Sequence, residues 1–81
     1  MEVYVFIQEE VYDLERNTSV EVFSTEEKAK EKFDSIVAKE KKNAINDGWE
    51  MEEEDRSFEA WEDDRYAENH ISVSFSKLTV Q

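Results

Sequence analysis

Between Ser24 and Gly48 the chain carries one apolar stripe. Ala29, Phe33, Ile36, Val37 and Ala44 recur at helical spacing. That period puts them on one side of an α-helix and matches no strand. Ser24 is placed to cap the free amides, and Glu27 completes a capping box. Gly48, just past Asn46-Asp47, is the C-terminal stop. Glu26 and Lys30 form a favourable i,i+4 pair on the exposed side. A helix of about six turns with one apolar side needs a second layer to cover it, and the rest of the chain must supply that layer.

The flanking segments have the period of strands. Val3, Val5 and Ile7 alternate with Tyr4 and Phe6, so both faces of the first strand are apolar and a position inside a sheet is expected. The strand can continue through Val11 and Tyr12, extended, bulged or bent. Asp13 to Thr18, with Asn17, reads as a hairpin turn, and Ser19 to Phe23 as the second strand. Trp49 to Glu53 and Ser57 to Glu62 read as short strands around Asp55-Arg56. Trp49 and Met51 share a face, as do Phe58 and Ala60. His70 to Gln81 is the last strand, with Ile71, Val73 and Phe75 opposite His70, Ser72, Ser74 and Ser76. Its apolar phase then moves to Leu78 and Val80, which suggests a bulge or bend near Lys77. The expectation is α+β: a single domain over residues 1–81, ordered β-β-α-β-β-β, with one amphipathic helix packed on one face of an antiparallel sheet. With 81 residues, no proline and one glycine, no domain boundary is visible.

Charge is the second constraint. The net charge is −12, and it is unevenly spread. Residues 1–24 hold six acids and one base, residues 25–48 six of each, residues 49–64 nine acids and one base, and residues 65–81 one acid and two bases. An acidic stretch threaded with Trp49, Met51, Phe58 and Trp61 reads as a folded anionic surface. Such a surface opposes direct binding to nucleic acid or an anionic membrane and attracts a basic partner. On a strand, alternate residues on one face lie about 6.6 Å apart. Glu50, Glu52 and Glu54 then form one row, with Glu59 on the neighbouring strand and Asp55, Glu62, Asp63 and Asp64 at the ends. Glu53 belongs to the same block. Such a row suits a basic groove built for phosphates. The alternative is a solvated sheet edge whose charge blocks edge-to-edge pairing. Trp61, on the face of Ser57 and Glu59, is either an apolar interface anchor or a cover for the outer face against Tyr4, Phe6 or Tyr66.

Catalytic constellations are not visible in the chain. There is no cysteine and one histidine, His70, which has no nucleophile or second ligand beside it in sequence. Glu62-Asp63-Asp64 offers hard oxygens without the spacing of a calcium loop. No cofactor motif occurs. The reading is a non-enzymatic protein without cofactor or metal. Met1-Glu2-Val3 has no basic n-region, and no apolar run is long enough to span a membrane, so a cytoplasmic location is expected.

Val3-Tyr4-Val5, followed by Val22-Phe23-Ser24-Thr25-x-Glu27-Lys28-Ala29, resembles many short proteins of Firmicutes and of their phages and mobile elements. The likeness covers roughly residues 1–45 and consists of a strand, a capping box and the start of an amphipathic helix. It implies a mobile-element origin. By composition the chain also resembles acidic anti-CRISPR and anti-restriction inhibitors, several of which imitate DNA in their charge pattern. That likeness implies a small inhibitor in a bacterial host's cytoplasm. Its acidic hairpin would occupy the nucleic-acid-binding surface of a defence nuclease. The alternative is an interaction or homodimerisation module that uses an open sheet face.

Overall fold

A computed structural model describes residues 1–12, 15–62 and 69–80. Its elements are β1 (Glu2–Tyr12), β2 (Glu15–Phe23), α1 (Glu26–Asp47), β3 (Glu50–Glu53), β4 (Ser57–Trp61) and β5 (His70–Thr79). The strands form one antiparallel sheet in the order β2-β1-β5-β4-β3. The two hairpins, β1-β2 and β3-β4, are joined by the last strand lying between them. Strands β2 and β3 are the two edges, so α1 connects them by crossing one face of the sheet. The fold is the expected α+β domain with the element order β-β-α-β-β-β.

The helix covers a core of Phe6, Ala29, Phe33, Val37, Ala44, Phe58, Ala60, Ile71, Val73 and Phe75. Phe6 and Phe75 are register partners, and the Phe33 ring tilts onto Phe75 at 5.1 Å. Tyr4, Phe23, Ile36, Trp49 and Met51 close the margins. The whole predicted helical stripe therefore packs onto the sheet.

The helix ends are built by local chemistry. Thr25, extended at φ −131° and ψ 149°, is the N-cap, and its hydroxyl accepts from the Lys28 amide at 3.3 Å. The cap expected at Ser24 is thus one residue later, which removes Glu27 from the capping-box position. At the other end Gly48 takes φ 74°. Its amide donates to the Ile45 carbonyl at 3.3 Å, and the Trp49 amide donates to the Ala44 carbonyl at 2.9 Å. This is a Schellman closure, and it turns Trp49 back onto the core, with its ring 6.2 Å from that of Tyr12.

Three local expectations are corrected, and one residue is added to the helical stripe. Asn17 is not in a turn: β2 begins at Glu15, which pairs with Tyr12, so Glu15 to Thr18 are sheet; residues 13–14 lie outside the described residues. There is no bulge near Lys77, because β1 and β5 keep one register from Val11 opposite His70 to Glu2 opposite Thr79. Leu78 is on the open face because that face is itself apolar at this end. Lys30 pairs with Asp34 at 3.0 Å, and Glu26 accepts instead from Arg56 at 2.7 Å. Finally, Glu40 completes the helical stripe and is only 5% exposed.

Candidate functional site

The face away from the helix is open, and the register maps it residue by residue. One transverse row reads Arg16, Val11, His70, Trp61, Glu50 from edge to edge. The next reads Thr18, Glu9, Ser72, Glu59, Glu52, and the third begins Val20, Ile7, Ser74, Ser57. Glu54 continues the third row: its amide donates to the Ser57 carbonyl at 2.8 Å, closing the β3-β4 turn. Further along lie Val22, Val5 and Ser76, then Val3 and Leu78. The serines of β5 therefore divide an apolar region on β1 and β2 from an acidic region on β3 and β4.

The acidic region brings together part of the predicted set. Glu50, Glu52 and Glu54 run along the edge strand on one face, and Glu59 faces Glu52 directly across the ladder. Like charges in directly opposed positions destabilise a sheet. None of the four carboxylates forms an ion pair among the described residues. By contrast Glu9, two strands away, is shared between Arg16 at 3.4 Å and His70 at 3.9 Å.

The remaining acids of the block are placed otherwise. Glu53 points to the helix side, where Lys41 holds it at 2.6 Å. Asp55 and Arg56 form the hairpin tip, with the Arg56 guanidinium bound to Glu26 and lying over the Phe75 ring at 5.4 Å. Glu62 sits at the far end of β4, accepting from the Asn69 amide nitrogen at 2.8 Å. Asp63 and Asp64 lie outside the described residues. Trp61 is on the open face at 37% exposure, between His70 and Glu50 in its row. Tyr4 and Phe6 share the helix face with the core, so they are not its cover; Tyr66 lies outside the described residues.

A second carboxylate site was missed. Beneath the helix, Glu40 faces Glu10, whose carboxylate accepts from the Gln8 amide at 2.9 Å. Burial first, and then the Glu10 charge, push the Glu40 carboxyl above its ordinary range, against the opposing influence of Lys39 and a hydrogen bond with Asn43. Burial and the same acids, with Asp47, raise the Tyr12 phenol. The signal was available, since Glu40 falls between Val37 and Ala44 in the apolar stripe. The pair is packed between helix and strand, so it bears on stability. Among the described residues, no group of three or more His, Cys, Asp or Glu side chains is arranged to hold a metal ion, and no helix is long and apolar enough to cross a membrane.

Comparison with protein-family models, with curated proteins and with solved structures finds no match to this chain.

Proposed function

We propose that the chain is a small inhibitor whose acidic β3-β4 edge occupies a basic, nucleic-acid-binding surface of a host defence nuclease, a CRISPR effector being the first suspect. The observation that supports this reading is the row of Glu50, Glu52 and Glu54, with Glu59 set against Glu52 and no ion pair to any of the four among the described residues. From residue 50 to residue 54 a strand rises about 13.6 Å. Over that length the four charges stand in three rows about 6.8 Å apart, two of them in the middle row, against about one charge per 3.4 Å along a single strand of B-form DNA. A groove lined with Lys and Arg to hold phosphates meets a row of like charges at about every second phosphate position, carried on a sheet. Solvation alone would be served as well by Lys41-type pairing or by staggered acids, without the opposed Glu52 and Glu59. Trp61, at the top of the same region, supplies an apolar anchor beside the charges.

The test uses the protein and a triple variant, Glu52→Lys, Glu54→Lys and Glu59→Lys, immobilised in parallel. A lysate of a bacterial host with active defence systems is passed over both, and bound protein is eluted with duplex DNA. The reading predicts a nucleic-acid-binding nuclease released by DNA from the native protein and not retained by the variant. Equal retention on both would remove the acidic edge from the interaction.

A further inference from the structure

We propose that the apolar half of the open face docks a cationic amphipathic helix of a partner protein, whose lysine or arginine flank reaches the carboxylates of β4 and β3. The proposal does not rest on the inhibitor reading, although both use Glu59.

The helix α1 covers one face of the sheet. On the other face three successive rows are apolar at the β1 end: Val20 with Ile7, Val22 with Val5, and Val3 with Leu78. Val20 and Val22 are 61% and 59% exposed, and Leu78 and Ile7 are 54% and 38% exposed. Apolar side chains that adjoin over three rows mark a contact surface, where single scattered ones do not. Next to them runs the β5 column of Ser72, Ser74 and Ser76, with short side chains. Beyond that column, two strand spacings or about 9.6 Å from β1, stands Glu59, with Glu52 behind it. Neither carboxylate has an ion pair among the described residues.

Charge and geometry together select the occupant. A second copy would bring the same surplus of acids, at a net charge of −12 per chain, to a face whose unpaired charges are already negative. A basic partner gains from them. A strand added at the β2 edge would stand four spacings, about 19 Å, from β4, and it would leave Val5 and Ile7 uncovered. A helix is about 10–12 Å across with its side chains, so one laid along β1 and β2 covers both strands at once. Three rows span about 13.6 Å, the length of about nine helical residues. Apolar anchors at i, i+3, i+4 and i+7 then meet the valines, isoleucine and leucine. Lysine or arginine on the flank above β5 can lay its stem over the serines and carry its charge to Glu59. The serine column is what lets this happen, since a large side chain there would wall off the apolar region from the acids.

The test is an NMR titration of the isotope-labelled full chain with a synthetic peptide of about 15 residues, a length at which an isolated helix is marginal. The peptide consists of Leu, Ala and Lys, with leucines along one side and lysines along one flank. Saturable binding is expected, with amide shifts at Val5, Ile7, Val20, Val22 and Glu59 and a gain of helix in the peptide's circular dichroism. Val20→Ser with Val22→Ser, both at exposed positions, should keep the fold and weaken binding about tenfold or more. Glu59→Gln should weaken it about twofold to fivefold, and the loss should vanish in high salt. Replacing the peptide's lysines with glutamates should abolish binding. Absence of binding would overturn the proposal. So would equal binding of a scrambled peptide, shifts confined to β3 and β4, preference for an extended peptide of alternating Val and Lys, or a free chain that sediments at twice its 9.6 kDa mass with the same residues covered. Capture of a nuclease through Glu52, Glu54 and Glu59 does not need Val20 or Val22, so failure here leaves the inhibitor reading standing.

Discussion

Replacing Glu52 with Lys should make the protein more stable and less able to bind, and the opposite signs are the point. Glu52 and Glu59 are register partners on the open face, with Cβ atoms about 5 Å apart. Two unit charges at that distance in a water-like medium repel by about 0.8 kcal/mol. Reversing one charge turns repulsion into attraction, a ceiling of about 1.6 kcal/mol. Screening and the cost of ordering two long side chains leave about 0.5–1 kcal/mol. For a domain of this size that is a rise in Tm of about 2–8 °C. Circular dichroism melts in low and high salt measure it, and the gain should shrink as salt rises. In the same preparation, affinity for the nuclease should fall and its salt dependence should weaken by about one counterion. A lower Tm would refute the opposed-charge geometry. Unchanged affinity would refute the placement of the interface at Glu52.

Three further predictions concern the frame that presents this edge. Protonation of Glu40 favours folding, because burial and Glu10 raise its carboxyl above the ordinary value. The native state then holds more protons than the unfolded one between the two pKa values, and stability falls as pH rises through that window. Glu40→Gln should accordingly raise Tm at pH 7, with the advantage fading below about pH 4; a lower Tm at pH 7 would contradict it. Phe58 is fully buried in the β4 core, and Phe58→Ala should cost about 3–5 kcal/mol in chemical denaturation, a large part of a small domain's stability. At Gly48 an added Cβ meets nothing within 4 Å, so Gly48→Ala should cost about 1 kcal/mol through its left-handed backbone alone, with Gly48→Asn recovering part of the loss.

The elements were legible because each has its own period. The stripe from Ala29 to Ala44 can bury itself only as a helix, and the alternation in β1 and β5 only as strands. Capping was misread by one residue because Ser24 and Thr25 are both competent caps, and only the backbone shows which is extended. Asn17 has turn chemistry, but the ladder continues through it because Glu15 pairs with Tyr12. Leu78 looked like a bulge because the reading assumed one apolar face throughout; the sheet changes which of its faces is apolar along β5. Strand order is a long-range property, and nothing local in β5 says that it joins the two hairpins. For the site, alternation was enough to put Glu50, Glu52, Glu54 and Glu59 on one face. It was not enough to show that Glu52 opposes Glu59, which depends on register, or that Glu53 is neutralised by Lys41, which depends on where the helix crosses. Glu40 is not singled out by its residue type, and only its position between Val37 and Ala44 in the stripe marks it as buried.

The central claim is that the open-face carboxylates of β3 and β4 occupy a site made for phosphates. It is tested most directly by titrating the captured nuclease with this protein in the presence of increasing duplex DNA. The account predicts competition: the apparent affinity falls in proportion to DNA occupancy, and the Glu52→Lys, Glu54→Lys, Glu59→Lys variant shows no binding to compete for. Simultaneous binding of DNA and protein, with the triple variant as effective as the native chain, would contradict it.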